Sequence, residues 1–274
     1  MSISFRRFGK FTAVAVLLSV GMFAFVASAR HSWGGYHWAR TANPFTLKLG
    51  DNVSSLWDGH LAGASSDWSA SSVLDTAIVP GGTLAGNCQP TLGRVEVCND
   101  TYGENGWLGI AQIWLSGSHI TQGVTKMNDT YFNDPTKPYN TLAWRQFVIC
   151  QEIGHTFGLG HQDENFWNTN LGTCMDYTSD PDGTLANPDQ LSNEHPNAHD
   201  FDQLKKIYAR LDKFTTLSAG TLSGPGQSGR AAADVSEPSE WGQVLRQDGR
   251  GRPSLYERDL GNGNKVLTFV IWAN

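Results

Sequence analysis

The sequence has little positive charge, and it has one long apolar run, close to its N-terminus. Its 274 residues include 20 lysines and arginines against 26 aspartates and glutamates, so the formal net charge is −6. A negative surface argues against a nucleic-acid partner, because binding to the phosphate backbone needs a basic patch. The apolar run Phe11–Val26 is short for a membrane-spanning helix. We therefore expect no stable membrane anchor in the mature protein.

The apolar run lies within a segment that has the three parts of a secretory signal. Arg6, Arg7 and Lys10 precede it, and the small residues Ala-Ser-Ala, ending at Ala29, follow it as a cleavage pattern. We predict a signal peptide over residues 1–29 and a secreted, extracellular protein, with an uncleaved anchor as the alternative. Cleavage removes three positive charges and no acid, which changes the formal net charge from −6 to −9.

Cysteine is scarce, but its even number is informative in an exported chain. The four cysteines allow three pairings. We favour Cys88 with Cys98, which closes a local loop, and Cys150 with Cys174, which ties a helix to a later turn. Buried free thiols are the alternative.

The residues with the most distinctive chemistry form a helix followed by a turn. Gln151 and His155 are four residues apart, so both side chains fall on one face of a helix, and Glu152 is one step round from them. Gly158 can end the helix, because glycine adopts positive φ without strain. His161 then returns after the turn. This layout is typical of a metal site beside a free carboxylate.

This segment resembles the zinc motif His-Glu-x-x-His-x-x-Gly-x-x-His of the metzincin proteases, with glutamine in the first ligand position. The resemblance implies that Gln151, His155 and His161 are the zinc ligands. It also implies that Glu152 is the general base of a metalloendopeptidase, which hydrolyses peptide bonds with metal-activated water.

The resemblance extends to the segments on either side of this motif. Met175 resembles the methionine turn below the metal in that family, and Tyr177 takes the place of a tyrosine that assists the transition state. Met175 and Gly158 are then structural residues. The strand Trp107–Leu115 is then a free sheet edge that pairs with an extended peptide or protein substrate.

Glutamine in place of a histidine ligand leaves three outcomes open. The Gln151 oxygen still binds zinc, or Tyr177 or another group replaces it, or the site is too weak to hold metal. The third outcome predicts a catalytically inactive, secreted peptide- or protein-binding protein on a metzincin scaffold. A separate alternative, a polysaccharide-binding module, is suggested by the ten tryptophans.

The pattern of elements predicts an α+β fold of metzincin type. We expect a mixed, twisted sheet with a long active-site helix, a Met-turn and a C-terminal helix, followed by a small C-terminal β-hairpin, in a monomeric chain. The predicted divisions are 1–29 signal peptide, 30–213 metalloprotease domain, 214–240 Ser/Gly/Pro-rich linker, and 241–274 hairpin segment. The predicted elements are a strand from Phe45, a helix over 54–64, a strand over 68–79, a loop over 80–105, a helix from Asn140 or Thr141, and a last helix over 200–211.

Two further segments carry metal-binding residue types. The acidic loop 178–200 contains Asp182 and Asp189, so calcium is a second possible cofactor, although no EF-hand spacing is present. The N-terminal arm, residues 30–45, contains His37 among several tryptophans, and His119 follows a tight turn. For these histidines we expect structural packing and hydrogen bonding rather than metal binding.

Overall fold

The structure is a computed structural model that describes residues 31–186, 188–218 and 237–273. The predicted signal peptide lies outside these residues, as does most of the predicted linker, residues 219–236. In the part of the chain that is described, no helix has both the length and the apolar character needed to cross a bilayer.

The described residues form an α+β fold in which one mixed sheet is flanked by a small number of helices, as the sequence predicts. The strands are β1 (His37–Trp38), β2 (Phe45–Asn52), β3 (Leu74–Pro80), β4 (Arg94–Asp100), β5 (Trp107–Ser116), β6 (His119–Asn128), β7 (Gln243–Gln247), β8 (Pro253–Gly261) and β9 (Asn264–Trp272). The helices are α1 (Asp58–Trp68), α2 (Asp129–Phe132), α3 (Leu142–His155) and α4 (Ala198–Ile207), with a 3₁₀ turn at Pro238–Glu240.

The C-terminal strands belong to the same sheet as the rest of the protein. The strand order is β3-β2-β4-β6-β5-β9-β8-β7, and the short β1 also pairs with β6. The pairs among β2, β3, β4 and β6 are parallel, whereas β5 and the C-terminal strands pair antiparallel. The predicted hairpin is present as β8 and β9, and it is docked on the main sheet.

The docking of β9 overturns the prediction that Trp107–Leu115 is a free edge. β5 lies between β6 and β9, and its register with β9 runs from Trp107 opposite Trp272 to Ser116 opposite Asn264. The backbone groups of β5 that would pair with an extended substrate are therefore already paired within the chain.

Helix α3 forms where the sequence predicts it. Thr141 is its N-cap, and its hydroxyl accepts a hydrogen bond from the backbone N–H of Trp144. The residues from Trp144 to His155 are buried, so this helix lies inside the protein rather than on its surface. Phe147, Val148 and Ile153 pack in the large core cluster between the helices and one face of the sheet.

Other element predictions were partly wrong. The helix predicted over 54–64 is α1, which runs to Trp68, and the predicted loop 80–105 contains the central strand β4. That strand carries Arg94 and the buried Glu96, whose side chains form an ion pair. Arg94, Val95, Glu96 and Val97 do alternate polar and apolar residues, but the run is short and lies among turn-forming residues, which favoured a loop.

The N-terminal arm packs as expected and supports the turn after α3. The indole N–H of Trp33 donates to the carbonyl oxygen of Leu159, and that of Trp38 donates to Thr156, both at 2.9 Å. Eight of the ten tryptophans are buried. Their number therefore reflects the core, and the polysaccharide-binding alternative loses its main support.

Candidate functional site

The C-terminal turn of α3 and the loop after it bring Gln151, His155 and His161 into the interior. Their side chains are between 0% and 5% exposed. Gly158 makes the turn possible, because its φ is +99° and a Cβ there would lie 2.5 Å from the carbonyl oxygen of Tyr36. The helix and turn predicted from sequence are therefore present with the expected spacing.

The amide of Gln151 has a fixed orientation. Its Nε2 donates to the carbonyl oxygen of Cys174 at 2.7 Å, while its Oε1 is buried without a hydrogen-bond partner among the described residues. Cys174 is itself held to α3 by the Cys150–Cys174 disulfide. The disulfide therefore positions the carbonyl that orients the Gln151 oxygen as a free acceptor.

The two histidines are oriented in the same manner. Nδ1 of His155 lies 2.8 Å from the carbonyl oxygen of Leu159, and Nδ1 of His161 lies 2.7 Å from Oε1 of Glu164. These acceptors place the proton on Nδ1 and leave a lone pair on Nε2, which is how protein partners prepare a metal-binding histidine. Both Nε2 atoms are buried, and neither has a hydrogen-bond partner within the described part of the chain.

The electrostatics of the site keep the His155 ring neutral. Burial, with a smaller contribution from His161, lowers the pKa of His155 well below its usual value. Burial alone would raise the pKa of Glu164, but its interaction with His161, the charge of Arg246 and the hydrogen bond from Ser254 lower it overall. An imidazole whose other ring nitrogen is held by a protein acceptor is a good metal ligand.

Glu152 follows Gln151 on α3 and is buried without a compensating charge. Neither of its carboxyl oxygens has a hydrogen-bond partner in the described structure, and burial raises the pKa of this residue well above its usual value. It lies against β5, since a Cβ on Gly109 would be 2.9 Å from Glu152 Oε1. An isolated buried carboxyl is costly, so its presence points to a functional role.

Gln151, Glu152, His155 and His161 each have a buried polar atom without a hydrogen-bond partner among the described residues, and the rings of His155 and His161 are in contact with centroids 4.5 Å apart. This fits a metal better than it fits an ordinary core. Each buried polar atom left without a partner costs about 1–3 kcal/mol. The set of one amide oxygen and two imidazole nitrogens suits a borderline cation such as Zn²⁺.

Met175 and Tyr177 lie next to this cluster, on the turn that follows Cys174. Met175 is fully buried under α3, and its Sδ would be 2.6 Å from a Cβ on Gly154. The Tyr177 ring packs on His161 with ring centroids 4.4 Å apart. Its hydroxyl donates to the carbonyl oxygen of Val270 at 2.9 Å, and burial raises the pKa of Tyr177 well above its usual value.

Strand β9 covers the site, a feature that the sequence alone does not indicate. The ring of Phe269 stacks on His155 with centroids 4.1 Å apart and planes 12° apart. From β8, Ser254 donates to Oε2 of Glu164 at 3.1 Å. The residues proposed to act on a substrate are therefore enclosed by the protein's own C-terminal segment. The only sign of this cover in the sequence is the apolar run of the predicted hairpin, and that run does not indicate where the hairpin docks.

Both favoured disulfides, Cys88–Cys98 and Cys150–Cys174, are present. Replacing Cys150 and Cys174 together with alanine is expected to lower the free energy of unfolding by about 2–4 kcal/mol, since the bridge restricts the unfolded chain. It should also weaken metal binding, because the carbonyl that orients Gln151 loses its tether. Urea unfolding and zinc titration measure the two effects.

Replacing Cys88 and Cys98 together is the matched control. That bridge also stabilises the fold, but it does not touch the α3 site, so zinc affinity should be unchanged. Equal loss of zinc affinity in the two double variants would contradict the positioning role of Cys174.

The acidic loop gives no support to a calcium site. The carboxylate of Asp180 accepts hydrogen bonds from the backbone N–H groups of Thr184 and Leu185, and Asp182 accepts from Thr184. Asp189 is exposed. The loop uses the oxygens of Asp180 and Asp182 to hold its own backbone, as Asx turns do.

Comparisons with known proteins give only distant similarities. No protein-family profile and no curated protein sequence matches the chain. High choriolytic enzyme 1, a hatching-enzyme zinc-protease of the medaka fish Oryzias latipes, is a similar solved structure, with 10% identity, a TM-score of 0.35, and coverage of 65% of this chain and 96% of that one. Two structures of myroilysin have 12% identity, TM-scores of 0.35 and 0.32, and coverage of 63% and 68% of this chain and 96% and 97% of theirs. At these scores the similarity does not decide the family or the activity.

Proposed function

We propose that this protein is an exported zinc-dependent endopeptidase of metzincin type whose C-terminal strand holds the site closed. The observation that carries the proposal is the buried cluster at the end of α3. There, Gln151 Oε1 and the Nε2 atoms of His155 and His161 are oriented but unpartnered, next to the unpaired carboxyl of Glu152. Export is supported by the two disulfides, which form and persist in oxidising compartments.

In this proposal Gln151, His155 and His161 would hold a zinc ion, which would supply Lewis-acid polarisation of the scissile carbonyl and a water molecule that is acidic near neutral pH. Glu152 accepts a proton from the attacking water and passes it to the leaving amine. Its high pKa in the closed protein, caused by burial, would fall when the site opens to solvent. Once its hydroxyl is released from Val270, Tyr177 donates a hydrogen bond to the developing oxyanion.

The glutamine in the first ligand position affects how tightly the site would bind zinc. An amide oxygen is neutral, as imidazole is, but it is a weaker zinc ligand. The hydrogen bond from Gln151 Nε2 to Cys174 compensates in part, because the oxygen needs no reorientation when metal binds. We therefore propose that Gln151 is a true ligand and that Tyr177, held by Val270, does not replace it.

The substrate in this proposal is an extended peptide or protein segment that binds along β5. Strand β9 occupies that place and pairs antiparallel with β5, as an added strand does in peptide recognition. Activity therefore requires β9 to separate from β5 and Phe269 to leave His155.

The first test is zinc content. Full-length protein purified without a histidine tag is expected to lose one equivalent of zinc on His155→Ala substitution, because one of three ligands disappears. Metal analysis after dialysis measures the loss. His60→Ala is the matched control, since His60 is hydrogen-bonded to Gln146 and lies outside the cluster. An unchanged zinc content in a folded His155→Ala protein would rule out the proposed centre.

A non-catalytic secreted binding protein is the second candidate, and the position of β9 favours it. Burial of Glu152 and Tyr177 under a strand that belongs to the main sheet is also the arrangement of a scaffold that never exposes the site. This candidate predicts no proteolysis even with saturating zinc, and none after β9 has been loosened.

A further inference from the structure

A second group of metal-binding side chains lies away from α3, where three distant parts of the chain meet. His37 on β1 is directly opposite His119 on β6 in a parallel register, so the two side chains lie side by side. Asp212 reaches them from the segment after α4. Its carboxylate oxygens lie 3.4 Å from Nε2 of His37 and 3.2 Å from Nε2 of His119.

These separations suit a tetrahedral zinc site. Zinc-to-ligand distances of about 2.0–2.2 Å imply neighbouring ligand atoms about 3.3–3.6 Å apart, close to the two nitrogen-to-oxygen distances. One ligand atom from each of His37, His119 and Asp212 lies within 4.8 Å of both others. Two imidazoles and one carboxylate are a ligand set that zinc commonly takes.

Neighbouring groups prepare the ligands for binding. Nδ1 of His37 lies 3.0 Å from the carbonyl oxygen of Gly35, which holds the ring with its Nε2 facing Asp212. Arg40 donates to Oδ2 of Asp212 from its backbone N–H and its guanidinium group, at 3.2 and 3.1 Å. The carboxylate is thereby fixed, with Oδ1 3.2 Å from Nε2 of His119, and with Oδ1 and Oδ2 3.5 and 3.4 Å from Nε2 of His37.

The site is also accessible from outside. The three side chains are between 14% and 22% exposed, and they line a surface cavity of about 810 Å³. A metal ion therefore has an entry path, which a proposed site must provide.

We propose that His37, His119 and Asp212 bind a second, structural Zn²⁺ ion. The ion ties the N-terminal arm to β6 and to the end of α4. Arg40, from the same arm, already donates to the carbonyl oxygens of Tyr208 and Arg210 just beyond that helix. Because the arm also supports the turn between His155 and His161, the ion stabilises the α3 site without taking part in its chemistry. This inference does not depend on the proposed peptidase activity.

The test uses full-length, tag-free protein carrying His155→Ala, so that zinc at the α3 site does not obscure the measurement. Titration of the metal-free protein with zinc is expected to show one remaining equivalent and a rise in melting temperature, since zinc binds only the folded state. Adding His119→Ala or Asp212→Asn should weaken zinc binding at least 100-fold and remove the rise. Cobalt(II) should give a tetrahedral absorption spectrum in the His155→Ala protein and not in the double variants.

His195→Ala in the same background is the control, because His195 is an exposed histidine that pairs with Asp67. The His155→Ala/His195→Ala protein should still bind one equivalent of zinc. Asp212→Asn preserves the size of the side chain, and circular dichroism checks that each variant is folded. Unchanged zinc affinity in folded His119→Ala and Asp212→Asn proteins, or no tetrahedral cobalt spectrum at saturation, would overturn the proposal and leave a plain hydrogen-bonded cluster.

Discussion

Phe269→Ala is expected to raise peptide hydrolysis by the full-length protein at least 100-fold, from a very low starting rate. Phe269 is 1% exposed and packs flat on His155. A buried phenylalanine-to-alanine change costs about 3–5 kcal/mol. Because the ring is buried only while β9 is in place, most of that cost falls on the closed state. Each 1.4 kcal/mol shifts a population about tenfold, so the open fraction should grow by about two to three orders of magnitude.

The measurement is zinc-dependent, chelator-sensitive cleavage of an unstructured fluorogenic peptide mixture. Hydrogen exchange of the β5 amides that pair with β9 should rise in parallel, because β9 protects them. Phe132→Ala is the matched control: Phe132 is equally buried, but it packs on Trp57, away from β9. Comparable destabilisation there should not activate the protein.

Two outcomes would contradict the closed-enzyme proposal. Phe269→Ala protein that binds zinc and exchanges its β5 amides freely, yet cleaves nothing, would favour the non-catalytic candidate. Activation by Phe132→Ala to the same degree would show that general loosening of the fold, and not release of β9, exposes the site.

The α3 site was readable from sequence because its information is local. The spacing of Gln151, Glu152 and His155 fixes which helix face they share, and Gly158 marks the turn that returns His161. The N-cap at Thr141 and the buried face of α3 also followed from neighbouring residues.

The position of β9 over that site could not be predicted from the sequence, because strand pairing depends on residues far apart in the chain. The sequence indicates a hairpin, but it does not indicate that Trp272 pairs with Trp107 or that Phe269 contacts His155. Both faces of β9 are buried, so its pattern does not reveal which face meets the helix. The prediction of a free substrate edge failed for this reason.

The second histidine cluster was missed for a related reason. His37 and His119 are ordinary residues in their own segments, and Asp212 follows a helix that was predicted to run to residue 211. Only the β1–β6 register and the end of α4 at Ile207 bring them together. Each segment alone favoured structural packing, as the sequence analysis expected.

Glu152→Gln is expected to lower the hydrolysis rate by about 10²–10⁴-fold without loss of zinc, when made in the Phe269→Ala background. Glutamine keeps the size of the side chain but cannot accept a proton. A general base typically contributes about 10²–10⁴-fold to the rate. The substitution also removes the buried carboxyl beside Gly109, so stability should not fall. Single-turnover cleavage rates and zinc content, measured on the same preparations, test both parts.

Glu164→Gln separates a proton-transfer role from a ligand-positioning role. Glu164 accepts the hydrogen bond from Nδ1 of His161, so its loss should weaken zinc affinity by about 10–100-fold while excess zinc restores most of the rate. Glu152→Gln should behave in the opposite way, with full zinc occupancy and no rescue by added metal. Rescue of Glu152→Gln by zinc would make Glu152 a metal ligand, and unimpaired cleavage would remove it from the mechanism. Only the combination of retained zinc and a lost rate supports a base that acts beside a site built from Gln151, His155 and His161.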